Sequence, residues 1–556
     1  MKSHMKSHMK SHMKSYMKSL KVTLLLSACA LSPTAAAAAP APAVAPAPLD
    51  VSPRYPHAHL VVGARDEYTP VTRFALQGVR FELPAQVALS ALAFDPVPLG
   101  DSVPVGTPVR YAPGAAYDLQ ARVGANIDTR KALSPLFFQA HYEQDITSGV
   151  LAGGEASARG VGLPLSEPRA DLTLRQAYGA VSFASVLTLQ GGYMTSHWGL
   201  GLLANDGAHG WAPGSAYFGD PRGGDRVLRA MAATGPHRVL GRPLLASVGV
   251  DRVQGDDIML PGDRAEQALA AVVWGFQQQR QVGAYVVRRH QDIPASSSQP
   301  RDKRTDVWVG DIYARWYWPL AERLKLELEA EGVWIQGDTT LAPSPEHRVN
   351  EVVQAALAAR LKLTSPRGGG VVDFVAASGD QNFDDGRQNA FRADPNFEMG
   401  LLLFRHVLSA QSARAPITAA DPDLVGSPNE DLDRFPTRRS VSNTYAVFPR
   451  GWFRLARGVE VYGGPLLAWG EVPVADPRNS RFNGGYPANL LGSRAGERFL
   501  GVEADVGVRG TLVVGGAELM LGAEGGALLP GAGLQGEGGV GAEALYGARL
   551  LARLRL

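Results

Sequence analysis

Three stretches of the chain gather charged and hydrogen-bonding side chains closely enough to do chemistry. The first, GGYMTSHWGLGLLANDGAHGW (191–211), leads on to Asp220, Arg222, Asp225 and Arg226. His197, Asp206 and His209 are residue types that serve as acid–base groups or zinc ligands. The chain carries neither a G-x-S-x-G nucleophile elbow nor an H-E-x-x-H metal motif. We therefore read these three as interface and loop residues, and the chain as not an enzyme. Arg222, Asp225 and Arg226 offer a different chemistry. Charges of both signs within a few residues either screen solutes at a pore constriction or hold a rim loop by ion pairs.

The second stretch, VVDFVAASGDQNFDDGRQNAFRADPNF (371–397), carries Asp380, Asp384, Asp385 and Asp394. Carboxylates are hard oxygen ligands that suit Ca²⁺, but the spacing is not that of an EF-hand. The expectation is an acidic loop, solvated or folded against lumen arginines, with no metal and no cofactor. The third, GAGLQGEGGVG (Gly531–Gly541), lacks a P-loop pattern and reads as loop or strand end.

The elements that must position these residues show in composition and period. The 556 residues are 45% hydrophobic and 19% charged, with 63 Gly, 39 Pro and one Cys, Cys29. That excludes a disordered chain, a disulfide scaffold and a Cys-based zinc site. The net charge is +2, and the first 21 residues hold six Lys and no acid. The remaining 49 basic and 53 acidic residues give no footprint for nucleic-acid binding. Residues 1–38 read as a signal peptide: a basic repeat, the apolar VTLLLSACAL, then small residues. Ala36-x-Ala38 fits ordinary cleavage, and Leu26–Cys29 fits lipidation at Cys29. PAPAVAPAP (40–48) reads as an extended linker.

Beyond that, strict alternation recurs. Tyr117, Leu119, Ala121 and Val123 alternate with Asp118, Gln120, Arg122 and Gly124. Leu324, Leu326 and Leu328 alternate with Lys325, Glu327 and Glu329. Leu500, Val502, Ala504, Val506 and Val508 alternate with Gly501, Glu503, Asp505, Gly507 and Arg509. Some 16–18 such segments occur, including 172–184, 306–318, 397–405 and 441–455. Most are ~10 residues or longer, the length of a membrane strand rather than of an average globular one. Trp308 and Trp318 share one face ten residues apart, which spans roughly 23 Å at ~45° tilt. Turns such as 278–280, 319–323, 456–458 and 513–516 are short. Connections such as 151–170, 292–305, 337–348, 379–396, 409–440 and 472–497 are long.

The reading is all-β: an antiparallel transmembrane β-barrel of about 16–18 strands over 116–556, with short periplasmic turns and long extracellular loops. Residues 39–115 form a Pro-rich linker and N-terminal extension, a plug or the first strands, in which Arg73–Leu83 is a strand, a periplasmic extension or part of a plug. By parity, Asp118, Arg122, Lys325, Glu327, Glu329, Glu503, Asp505 and Arg509 line the lumen with Gln120. Arg222, Asp225, Arg226, Asp380, Asp384 and Asp385 are constriction candidates.

The 191–211 and 371–397 segments, with VYGGPLLAWGE (461–471) and LGAEGGALLPG (521–531), resemble a poorly characterised family of large Gram-negative outer-membrane β-barrel, porin-like proteins. The likeness covers most of 116–556. The ASGD pattern at 377–380 is more loosely similar to alginate-export-type porins. The resemblance implies an outer-membrane location and a barrel fold; the mixed charges of the inward faces point to passive passage of polar solutes. Its implied partners are outer-membrane lipids, small polar solutes or oligosaccharide, and the barrel-assembly machinery. A polysaccharide exporter and a non-conducting scaffold or adhesin are the alternatives. The chain departs from the family pattern in ending on Leu556 rather than Phe or Trp.

Overall fold

The computed structural model describes residues 72–556 apart from 102–107, 112–115, 130–134, 150–168, 185, 209–213, 277, 296–300, 344–345, 383, 414–430, 432–433, 435, 477–479, 481–483 and 493–496. The segment 1–38, Cys29, the 40–48 linker and His209 lie outside the described residues.

Eighteen antiparallel strands close into one barrel. They are β1 Ala85–Phe94, β2 Ala116–Asp128, β3 Leu136–Gly149, β4 Arg169–Phe183, β5 Leu187–Thr195, β6 Arg226–Val239, β7 Arg242–Gly255, β8 Arg264–Trp274 and β9 Gln281–Ile293. They continue with β10 Lys303–Ala321, β11 Leu324–Thr339, β12 Asn350–Thr364, β13 Gly368–Ala377, β14 Thr444–Ala456, β15 Val459–Trp469, β16 Phe499–Val514, β17 Ala517–Pro530 and β18 Leu545–Arg555. Each pairs with its sequence neighbours, and β18 pairs back onto β1, Gly547 opposite Phe94 and Arg555 opposite Gln86. Closure leaves no open edge among these strands, which is how a sheet avoids exposing unpaired backbone.

The hairpin turns follow from their residues. At Leu240–Gly241 and Gly515–Gly516 both central residues have positive φ, as a two-residue turn matching strand twist requires. Long connections lie at the other end. In the largest, 196–225 and 378–443, the described residues fold inward.

Alternation along the strands becomes inside and outside. Trp308, Ile312, Val506 and Leu550 face outward and are exposed, at 50%, 62%, 63% and 63%. Their neighbours Val309, Asp311, Asp505 and Arg549 face inward and are buried. Arg288 lies over Trp308 and Arg280 over Trp316, so the tryptophans near each end of β10 are held beside a cation.

Four features of the chain differ from the pattern of simple alternation or give form to what it leaves open. First, residues 397–405 form no strand. The run Leu401-Leu402-Leu403-Phe404 is apolar at both parities and buried throughout, so no sheet face could leave half of it in contact with lipid. Second, of the plug and the first strands left open for residues 39–115, the structure has a first strand there, and the wall begins at Ala85. The inward side chains of β1 are Gln86, Ala88, Ser90, Leu92 and Phe94, too small and apolar to show a polar period. Third, the constriction candidate Arg226 stands at the start of β6, opposite Thr195 and Gly255. Its strand points Val227, Met231 and Ala233 inward, where they are buried, which blurs the alternation. Fourth, a register shift opposite Gly501 (φ 135°) reverses the start of β16. Leu500 is consequently buried instead of sharing the outer face of Val506. Arg73–Leu76 and Val79–Glu82 form a hairpin whose second strand pairs with Asn126–Asp128 of β2. This segment extends the wall and does not enter the lumen.

Candidate functional site: a two-loop septum across the lumen

The 196–225 loop enters from β5 and is held near its start by the wall. Glu331 of β11 accepts the N–H groups of Leu200 (2.5 Å) and Leu202 (3.1 Å). Trp198 is buried edge-on against Tyr285, with ring centroids 4.7 Å apart, among Leu245, Ala271, Val273, Phe276 and Tyr313. His197 lies 3.7 Å from Asp206, which also faces Arg175 at 3.8 Å. The His197–Asp206 contact is thus part of a buried polar cluster that reaches Arg175 of the wall.

The loop then crosses to the opposite wall. Arg450 donates to the carbonyl of Ala216 (2.8 Å), Arg509 to that of Tyr217 (3.0 Å) and Arg549 to that of Phe218. Glu460 accepts the N–H of Gly214 at 2.9 Å. Inward residues of β14, β15, β16 and β18 therefore grip the loop backbone at four of the five residues 214–218. A guanidinium suits this task because its fixed fork of donors reaches both a carboxylate and a carbonyl. Arg549 also bonds Glu524, and Arg509 also bonds the Tyr462 hydroxyl.

The 378–443 loop supplies the other half. A short helix, π in geometry over Leu403–Leu408, continues to residue 413. Glu503 of β16 accepts the N–H groups of Leu401 (2.5 Å), Leu402 (2.8 Å) and Leu403 (2.7 Å). Donors with no partner of their own near a helix start thus meet a carboxylate. Leu401, Leu402, Leu403, Phe404, Val407 and Leu408 pack with Val375, Phe448, Leu466, Leu528 and Leu545 into an apolar fill against β12–β18.

The two loops lock together. Asn396 accepts the Arg222 N–H at 2.7 Å, and the Leu202 carbonyl accepts the Asp394 N–H at 2.9 Å. Glu398 accepts the Asp220 N–H and pairs with Arg405 (2.5 Å) and Arg439 (2.9 Å). Burial alone would raise the Glu398 carboxyl, but Arg405, Arg439 and Arg549 hold it below the usual range. The Arg222 guanidinium is shifted down by burial and by its neighbours Arg405 and Arg439. It pairs with Asp118 of β2, with Asp220 (2.5 Å) and with Ser90 Oγ (2.6 Å).

Beyond the apolar fill, the inward face of β2 to β7 carries charged pairs beside apolar side chains such as Met194, Val227 and Val253. There Gln120 and Arg122 both bond Asp145, at 2.9 and 2.7 Å, and Arg229 forms a fork with Asp251, two bonds of 2.7 Å. Towards the loop end lies a cavity of about 460 Å³, lined by Asp225, Asp257, Asp394, Arg289, Arg392 and the valines Val287, Val307 and Val309. Burial, then the charge of Asp394, pushes the Asp225 carboxyl up. Burial likewise raises Asp394.

The candidates read from the sequence are therefore spread out. Asp118 and Arg222 meet, whereas Asp225 faces the cavity and Arg226 belongs to the wall. Lys325 is exposed at the turn end of β11, Glu327 pairs with Arg315 (3.0 Å) and Glu329 accepts the Tyr313 hydroxyl (2.5 Å). Glu503 and Arg509 anchor loops, and Asp505 lies beside Glu503 on the same inward face. Asp380, Asp385 and Asp394 each accept the N–H two residues on, from Asn382, Arg387 and Asn396. Asp384 donates its own N–H to Asn382. These carboxylates shape the loop, as aspartates in turns commonly do. The anchors Glu331, Arg450, Glu460 and Arg549 were not singled out from the sequence. Their inward parity was legible, but the backbone they grip lies more than a hundred residues away.

No family model and no curated protein matches the chain. Solved structures similar to it include the outer membrane protein OprD from Pseudomonas aeruginosa, at 11% identity over 88% of this chain and 94% of that one, with a TM-score of 0.45. Acinetobacter baumannii OccAB1 is similar at 10% identity over 86% and 96%, with a TM-score of 0.46. Pseudomonas aeruginosa OccK2 in complex with glucuronate is similar at 10% over 85% and 98%, with a TM-score of 0.41. The assignment of this chain as a closed barrel rests on its own strand pairing.

Proposed function

We propose that this chain is an outer-membrane channel through which small polar solutes diffuse passively, narrowed by the two-loop septum. The observation that carries the reading is the two-faced wall. Its outward side chains are exposed and apolar, as lipid contact demands, while the inward ones are charged and hydrogen-bonded. Within the septum, apolar side chains occupy the β12–β18 side, whereas the β2–β7 side carries ion pairs at Asp118, Asp145 and Asp251. Solutes would cross along the charged side, where Arg222–Asp118 and Arg122–Asp145 can exchange partners with a passing polar group. Opposed charges at a narrow point select by size and charge without chemistry.

A second reading has an observation of its own. The fill around Leu401–Phe404 is dense and apolar, as a non-conducting scaffold would require. Single-channel conductance of refolded protein in a planar bilayer separates the two. Reproducible steps, with folding verified by heat-shifted gel mobility, support the channel. A folded barrel that gives no steps refutes it and leaves the scaffold.

A further inference from the structure

The hairpin Arg73–Leu76/Val79–Glu82 has no role in the septum, yet its residues are sorted. Phe81 pairs with Phe74 on one side and with Ile127 of β2 on the other. Directly paired residues of an antiparallel ladder share a face. Ile127 is outward and exposed, so Phe81 and Phe74 are outward too, and by parity so are Leu76 and Val79. Phe74 and Leu76 are 53% and 63% exposed, and the Phe74 and Phe81 rings stack with centroids 5.0 Å apart. The opposite face carries Arg80 and Glu82, paired at 3.3 Å.

The position of the hairpin matches this sorting. Pairing of β1 with β18 reaches down to Ala85, which exchanges backbone hydrogen bonds with Leu556. Strand β2 runs further, to Asp128. Without the hairpin, the Asn126–Asp128 edge would face outward unpaired, a costly state for backbone in lipid. The outer apolar surface continues from the hairpin through Ile127 and its partner Ala140 to Phe138, Val181 and Phe183, of which the last three are also exposed.

We propose that this hairpin is a lipid-contacting element. It extends the wall below the β1–β18 closure and sets Phe74, Leu76 and Phe81 in the acyl chains of the leaflet at the turn end. The inference rests on the barrel being embedded in a bilayer, and the test separates the two. In a full-length Cys29→Ser background, Phe74→Cys, Val506→Cys and Arg80→Cys are each labelled with bimane and reconstituted in phosphatidylcholine vesicles. Quenching by brominated lipid is compared with quenching by iodide. Val506, outward on β16, is the lipid reference, and Arg80 is the water reference. The expected result is that the Phe74→Cys probe follows the Val506→Cys probe: strong bromolipid quenching, and iodide quenching several-fold below that at Arg80→Cys. A Phe74→Cys probe that follows Arg80→Cys overturns the inference. So does one shielded from both quenchers, which would place protein there. If the Val506→Cys probe itself escapes bromolipid, the membrane reading fails first.

Discussion

Glu503→Ala is expected to undock the helical part of the 378–443 loop and widen the lumen. Six apolar side chains of that segment, from Leu401 to Leu408, are buried. At roughly 2 kcal/mol each, their burial favours docking by about 12 kcal/mol. Fixing residues 401–408 opposes it by a similar amount, at roughly 1.5 kcal/mol per residue for backbone and side chain together. The two terms cancel to within a few kcal/mol, so the three bonds to Glu503 decide the outcome. Removing the carboxylate leaves three buried N–H groups without an acceptor, a loss of roughly 3–5 kcal/mol. A loss of that size gives the undocked state a substantial population. Glu503→Gln keeps one acceptor oxygen but turns an NH₂ toward the same donors, so its effect should be intermediate. Single-channel conductance should rise in the order wild type, Gln, Ala. Trypsin should begin to cut after Arg405, which is buried in the docked loop. A correctly folded Glu503→Ala barrel with wild-type conductance and no cleavage at Arg405 would refute the reasoning.

Glu331→Ala should loosen the start of the 196–225 loop, because Leu200 and Leu202 lose their acceptor. Larger current noise at unchanged barrel stability is the expected signature. Arg222→Ala leaves Asp118 and Asp220 without their shared cation; the reversal potential in a salt gradient should move toward cation selectivity, and no movement would place the trio off the solute path. Raising the pH should also increase cation selectivity. Asp225 and Asp394 are shifted up by burial, and Asp380 is pushed up to about 6 by burial. For each, the folded pKa lies above the unfolded value of about 3.9, so its stabilisation is complete below that pH and is lost as pH rises through the folded value. Selectivity should therefore change, and the loops loosen, as pH rises from about 4, with the Asp380 part complete once pH has passed about 6. Asp380→Asn should remove the part centred near 6, and a titration identical to wild type would exclude that residue.

Legibility in this chain tracks what each side chain faces. Where the inward neighbour is water or an ion pair, as at Asp118, Gln120 and Arg122, the wall writes itself as alternation, and inside and outside can be assigned from parity. Where the inward neighbour is the septum, the signal fades. Strand β1 meets the loop helix, with Phe94 stacked 4.3 Å from His406, and β6 points Met231 and Ala233 inward. Apart from Gln86 and Arg229, the inward residues of these strands are mostly apolar or small, and the strands escape a period-two reading. The same cause produces the opposite error at 397–405. An apolar run bounded by turns is what a buried strand and a buried plug have in common, and periodicity alone cannot separate them. What separates them here is Glu503. A carboxylate directed at three consecutive N–H groups is compatible with a helix start and incompatible with a strand, whose N–H groups point alternately to opposite sides. The inward acids and arginines are thus of two kinds that look alike in sequence. Some line the lumen, while others, such as Glu331, Glu503, Arg450 and Arg549, carry the loops that narrow it. Only distance to a loop backbone tells them apart, so substitutions in the second group should change pore size before they change charge selectivity.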